Sequence, residues 1–404
     1  MLARRSLLVG TASLLAAIAA PGWARAQSPA FRSWVEEQLR PRALAKGVSE
    51  ATFTRVMRGL KPDTTVYDQL QNQDEFHEEL WQYINRRVSE LRITTGKERA
   101  KQYAGLLSRI EHDYGVDRYL MLSLWGNESS FGDVVDNPKY MRPVIPALAA
   151  LAYGAPRRRA YWEQELINAL IIVDRGWAEP KNMIGSWAGA MGHTQWMPEV
   201  WLHMGVDYNN DGRIYPFGKP DDALAGTAHY LVARGGYRRG EAWGCEVKLP
   251  AGLRQRGSHT YESWHAAGVR RADGKPFARP NDEVRLRVPV EGGPAFLVGK
   301  NFSAVMSYNP AFAYGLAVCH LADRIRGEGP FVQPFPGSER TLTLAEIQEV
   351  QRRLTAMGFD TDGTDGRAGR DTMRAVRRFQ LKVGLEPADG YPGLAVLARL
   401  RKGA

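Results

Sequence analysis

Cysteine is nearly absent: only Cys245 and Cys319 occur among 404 residues. A disulfide framework is therefore excluded as the main source of stability. The two thiols either pair with each other, which would add roughly 4 kcal/mol for so long a loop, or stay buried and free. Neither sits in a sequence setting that marks a thiol nucleophile. The eight histidines include no HExxH and no pair at zinc-ligand spacing, which argues against a zinc amidase or peptidase. A GxSxG elbow and a P-loop are missing too. Basic residues outnumber acidic ones, 54 to 44, for a net charge of +10. They form no long run, so no nucleic-acid partner is indicated, although the excess suits an anionic polymer or surface.

Long apolar runs are also scarce. One stands at the N-terminus, in MLARRSLLVGTASLLAAIAAPGWARA. Arg4 and Arg5, an apolar stretch and Ala24-Arg25-Ala26 form the n-region, h-region and cleavage pattern of a signal peptide over residues 1–26. The paired arginines also allow a twin-arginine route. No Cys adjoins the cut, so a lipid anchor there is not expected. No other run approaches the roughly 18–20 residues of a spanning helix. The expected mature chain is exported and has no transmembrane segment.

Hydrophobic residues make up 44% of the chain, enough for more than one packed core. FRSWVEEQLRPRALAKG, DEFHEELWQYINRRVSELR and ERAKQYAGLLSRIEHDYG repeat apolar residues every three or four positions, which predicts helix through residues 28–120 and on through 140–175. CEVKLP, VRLRVPV and AFLVG, within 241–300, predict short strands. Helix returns at AFAYGLAVCHLADRI. RGEGPFVQPFPGSER, residues 326–340, reads as a linker. Beyond it, Leu344, Ile347, Val350 or Gln351, and Leu354 share a helical face. Asp365-Gly366 with Gly369, and Asp389-Gly390 with Gly393, repeat one turn pattern in a small helical module over 341–404.

Three stretches carry candidate chemistry. In LWGNESSFG, Glu128 continues the stripe Leu120–Leu124 at four-residue spacing, beside Met121 and Trp125. A carboxyl held against Leu and Trp is poorly solvated, so its pKa rises, as a general acid near neutral pH requires. The competing reading is a helix-end Glu paired with an Arg or a backbone N–H. In GSWAGAMGHTQWMP, residues 185–198, small residues permit close backbone approach to a ligand, while Ser186 and Gln195 offer hydrogen bonds and the tryptophans offer faces for sugar rings. The competing reading is tight helix packing around a Trp core. In DYNNDGRIY, Asp207, Asn209, Asp211 and Gly212 fill half of a calcium loop that Asp222 could close. The alternative is an Asx-rich turn.

The ordered blocks WGNESSFG, PALAALAYGAPRRRAYWEQELINAL, GSWAGAMGHTQWMP, DDALAGTAHYL and SYNPAFAYGLAV resemble the lytic murein transglycosylases of the B type, over roughly residues 30–325. RRLTAMGF, DGRAGRDTMRAVRRFQ and the second DG resemble the three-helix peptidoglycan-binding domain. The resemblance implies a mainly α fold: a lysozyme-like helical catalytic domain over 28–325 with a small strand-containing insertion, then the linker and the three-helix domain. It implies Glu128 as catalytic acid, with Ser186, Gln195, Tyr230, Tyr308, Asn309 and Tyr314 binding substrate. It further implies a monomer in the periplasm acting on peptidoglycan strands. No cofactor is required, though some members hold calcium where Asp207, Asn209, Asp211 and Asp222 fall; here Asn209 replaces an acid. The implied reaction is non-hydrolytic cleavage of the β-1,4 bond between N-acetylmuramic acid and N-acetylglucosamine, leaving 1,6-anhydro ends. Two alternatives stay open: a hydrolytic muramidase using Asp133 or Asp136 as second carboxylate, and a wall-binding protein without chemistry.

Overall fold

A computed structural model describes residues 29–71 and 78–403. The N-terminal 1–26 segment and part of DEFHEELWQYINRRVSELR lie outside the described residues. The main body is built of helices. Those that frame the site are α1 (Leu80–Arg87), α2 (Glu90–Gln102), α3 (Arg118–Ser129), α4 (Val144–Gly154), α5 (Arg159–Asp174), α6 (Asp221–Ala233), α7 (Lys300–Tyr308) and α8 (Phe312–Arg326). The helical periodicity through residue 115 is interrupted where side chains end helices locally. The Ser89 hydroxyl accepts the Arg92 N–H and starts α2, so the helical stretch DEFHEELWQYINRRVSELR is divided there between α1 and α2.

Two cores share the body. One packs α4 and α5 around Trp162, Trp196 and Trp201. The other buries α3 and α8 with Phe296 and Phe302. Helix α3 runs through this second core and is buried along nearly its whole length. Asp117 caps its start by accepting the N–H groups of Tyr119 and Leu120 at 2.9 and 3.0 Å.

A two-residue pair joins β1 (Arg142–Pro143) and β2 (Ile184–Gly185). Between α6 and α7 lies the strand-containing insertion. Its strands are β3 (Gly244–Lys248), β4 (Ser258–Thr260), β5 (Arg270–Arg271), β6 (Glu283–Arg287) and β7 (Ala295–Val298). They form an antiparallel sheet of order β4-β6-β7-β3-β5. Cys245 opposes Leu297 in a satellite core with Trp264, whereas Cys319 belongs to the core around α3. Both cysteines are therefore free and buried, which decides between the two readings of the thiols.

Residues 328–343 carry no helix or strand, yet the segment is not loose. Phe331 stacks on His320 with ring centroids 3.8 Å apart, and the Glu246 carboxylate accepts the N–H groups of Val332 and Gln333 at 2.7 and 2.8 Å. Beyond it, α9 (Leu344–Ala356), α10 (Arg370–Val383) and α11 (Leu394–Arg401) enclose a core of Val350, Leu354, Val376, Phe379 and Leu397. A capping box between Thr343 and Glu346 starts α9.

The internal repeat has a physical counterpart. The Gln351 amide donates to Asp365 Oδ1 at 3.0 Å and accepts the Gly366 N–H at 2.8 Å. Gln380 does the same with Asp389 and Gly390, at 3.0 and 2.8 Å. Both glutamines are buried. Gln351→Leu keeps much of the volume but strands the Gly366 N–H. We expect a loss of about 2 kcal/mol, read as a lower melting temperature by calorimetry. Leu381→Ala, on an exposed position of α10, should leave it unchanged.

Candidate active site

Glu128 is the penultimate residue of α3. Two arginines close the end of this helix: Arg92 Nε donates to Gly126 O and Arg87 Nη1 to Asn127 O, each at 3.2 Å. Cations there complement the helix dipole. The chain then turns sharply, with Ser130 and Phe131 at φ of 53° and 61°. The Ser129 hydroxyl donates to His193 O at 2.5 Å, tying the turn to the 185–198 block.

The Glu128 carboxyl is poorly solvated, and that burial raises its pKa above the ordinary carboxylate value. Two smaller effects oppose it: the hydroxyl of Tyr314 and the charge of Arg87. Tyr314, on α8, donates its hydroxyl to Glu128 Oε1 at 2.5 Å. Burial and the neighbouring Glu128 push the Tyr314 phenol up, so it remains a donor throughout the neutral range. The hydrogen-bonding neighbour of Glu128 is a neutral phenol, and burial favours the protonated form of its carboxyl.

The other residues expected at the site are each held by bonds of their own. Tyr308 donates to Thr194 O at 2.5 Å, and its phenol is raised by burial first and by Glu128 second. Its ring meets that of Tyr230 edge-on with centroids 5.2 Å apart, and Tyr230 donates to Ser307 O at 2.8 Å. Asn309, the exposed C-cap of α7, accepts the Ala311 N–H at 3.0 Å. Gln195 holds φ of 54° and donates to Gly192 O at 3.0 Å. The Ser186 hydroxyl accepts the Ala190 N–H at 3.1 Å. Tyr314 and Glu128 are therefore in direct contact. Tyr308 and Tyr230 pack against each other, while Ser186 and Gln195 are held by their own loop.

That loop is compact for a reason other than ligand approach. A Cβ on Gly185 would stand 2.3 Å from Ala190 O, and one on Gly192 2.3 Å from Pro216 O. These glycines make room for backbone. Trp196 is buried and donates to Thr227 Oγ1 at 3.0 Å, so its face is unavailable to a sugar; Trp187 stays half-exposed. Sequence reasoning missed Thr194, which is fully buried. Its carbonyl anchors Tyr308 and its hydroxyl accepts from Thr227 at 2.9 Å. It also missed His193, whose Nδ1 accepts from Trp125 Nε1 at 3.1 Å. Membership of the 185–198 block was the only available signal for either.

Asp133 is engaged by cations. Its two oxygens bind Arg367 at 2.6 Å and Arg99 at 3.4 Å. In the Asp207 loop, Asp207 accepts the N–H groups of Asp211 and Gly212 at 3.1 and 2.9 Å. Asp222 accepts those of Tyr208 and Tyr215, both at 2.9 Å. These carboxylates thus fold the loop by accepting main-chain N–H groups within it and on either side of it. Among the described residues, no group of three or more His, Cys, Asp or Glu could hold a metal ion.

A part-buried acid on a core helix, a tyrosine donor against it and an appended three-helix module are the features that the comparisons with known proteins meet. The transglycosylase SLT domain family matches residues 30–323 and the peptidoglycan binding domain matches residues 343–400; the chain belongs to the transglycosylase SLT family. It is 30% identical over 229 residues to membrane-bound lytic murein transglycosylase B of Escherichia coli, a match covering 55% of this chain and 61% of that relative's length. SltB3 of Pseudomonas aeruginosa, solved with NAG-anhNAM-pentapeptide, is 38% identical at a TM-score of 0.71, covering 93% of this chain and all of that one. Slt35 of Escherichia coli, solved with calcium, is 25% identical at a TM-score of 0.61, covering 75% of this chain and 94% of that one. These relatives share the lysozyme-like helical fold expected from the sequence.

Proposed function

We propose that this protein cleaves the β-1,4 bond between N-acetylmuramic acid and N-acetylglucosamine without water, leaving 1,6-anhydromuramic ends. The observation that carries this reading is the Glu128 carboxyl, poorly solvated and bonded to Tyr314. Protonated Glu128 donates to the leaving glycosidic oxygen. The substrate's N-acetyl group stabilises the oxocarbenium-like centre, as in substrate-assisted glycosidases. Glu128, now ionised, takes the proton of the muramic C6 hydroxyl, which attacks C1 and closes the anhydro ring. The nucleophile is tethered to its target, so its effective concentration is high and no second carboxylate is needed. Ser186, Gln195, Tyr230, Tyr308 and Asn309 bind and orient the glycan, and Tyr314 stabilises the Glu128 carboxylate as it forms. No cofactor enters.

The muramidase alternative is weaker, because the nearer of its two candidate bases, Asp133, is engaged by two arginines. The SltB3 complex with an anhydromuropeptide supports the same chemistry here. Residues 1–26 serve as a signal peptide for export to the periplasm, where the protein acts as a monomer. The 341–404 module holds it on the sacculus. No helix among the described residues is long and apolar enough to cross a membrane. Mass spectrometry of digested sacculi tests the reaction. Anhydro ends are expected; reducing ends, heavier by one water, would establish hydrolysis instead.

A further inference from the structure

A cavity of about 330 Å³ lies between the end of α3 and the C-terminal module. Glu128 borders it, together with Arg86, Arg92, Asp133, Arg367 and Tyr391. Its charges do not balance. Arg86 is matched by Glu78, with both nitrogens bonded at 2.8 and 2.7 Å. Arg367, from the module, shares Asp133 with Arg99, so two cations meet one carboxylate. Arg367 also stands 3.8 Å from Asp365, which belongs to its own turn. Arg92 donates only to main-chain oxygens among its described hydrogen bonds, Gly126 O at 3.2 Å and Arg86 O at 2.8 Å. The ion pairs among the described residues give it no carboxylate. Arg87 adds a further cation behind it. Burial first, then Arg87, Arg86 and Arg367, pull Arg92 down to about 9. A guanidinium in that position is relieved by a bound anion, and its planar fork fits a carboxylate.

We propose that this cavity is an anion subsite in which Arg92 and Arg367 hold a carboxylate of the peptide stem borne by the glycan strand. The assignment rests on the murein-cleaving reading above. The N-acetylated sugars of such a strand are neutral and the lactyl group is amide-linked wherever a stem is attached. The stem is then the strand's source of carboxylate. Arg367 makes the wall-binding module part of the wall of the catalytic cavity, and thus a determinant of which strands are cut.

The test compares three substrates: strands with free stem carboxylates, the same strands with those carboxylates amidated, and strands freed of stems, whose lactyl carboxylates are exposed. The parent protein should lose about tenfold in kcat/KM on amidation, through KM. Arg367→Gln should lose about tenfold on free-carboxylate strands and nothing on the other two. Arg367→Lys should recover part of the loss. Lys139→Gln breaks the ion pairs of Lys139 with Asp362 and Asp371 across the same interface but leaves the cavity's cations, and should keep the discrimination. Equal loss by Arg367→Gln on all three strands, or discrimination erased by Lys139→Gln, would reduce the effect to module docking and overturn the subsite. A loss on stem-free strands would move the anion to the lactyl group and overturn the stem assignment. If the cleavage reading itself fails, no strand yields anhydro ends with the parent protein; if only the subsite fails, anhydro ends form without discrimination.

Discussion

Glu128→Gln should lower murein turnover by about a thousandfold or more while leaving the fold intact. General acid catalysis contributes roughly 10²–10⁴, and here one carboxyl serves as acid and then as base, so its loss affects both halves of the reaction. The amide fits the same space and still accepts from Tyr314, whose hydroxyl lies 2.5 Å from Oε1. A lost core contact is therefore not the cause of the fall, and an unchanged melting temperature would verify that. The companion variant is Asp133→Asn. If Asp133 activated water, it would lose activity on the same scale. Because Asp133 is already shared by Arg99 and Arg367, we expect a change within about threefold on substrates without a stem. Turnover of sacculi by Glu128→Gln at the parent rate would remove Glu128 from the mechanism.

The place of Glu128 on its helix was legible because that signal is local; its role was not, and came from the resemblance. Leu120, Leu124 and Glu128 lie on one face of one helix, and four-residue spacing states that directly. What surrounds the acid is not local. Tyr314 reaches Glu128 across 186 positions of sequence, and no spacing rule connects them; only the resemblance placed it in the cleft. The same limit applies to Arg367, whose contact with Asp133 spans 234 positions. Composition left two readings open within residues 185–198, where a run of small residues suits both a ligand and a close approach of backbone. The close approaches at Gly185 and Gly192 show that packing sets those two positions. In the insertion, the strands visible in sequence are those with apolar residues, alternating in β3 and β6 and continuous in β7. Ser258–Thr260 and Arg270–Arg271 have none to alternate and pair only because β6 and β3 lie alongside. The DG turns were legible as a repeat, but Gln351 was read only as one of two alternatives, with Val350, on a helical face. It is the residue that closes the turn.

Tyr314→Phe should lower turnover by about ten- to a hundredfold and move the alkaline limb of the pH–rate profile to higher pH. The sign follows from what the phenol stabilises. Its hydrogen bond favours the ionised carboxyl and so lowers the Glu128 pKa, against the larger upward effect of burial. Without it, Glu128 remains protonated to higher pH, and the rate, which requires the protonated acid, falls off later. The same change makes Glu128 a weaker acid and removes a charge-assisted hydrogen bond from the carboxylate that develops as the glycosidic bond breaks; such bonds are worth roughly 1.5–3 kcal/mol. Slower turnover with a wider protonated range is a combination that simple loosening of the cleft would not produce. Tyr308→Phe supplies the contrast. Its hydroxyl donates to Thr194 O at 2.5 Å, so removing it should lower stability while leaving the limb of the profile in place. A limb that moves to lower pH in Tyr314→Phe, or that moves equally in both variants, would mean that the phenol of Tyr314 does not set the acidity of Glu128.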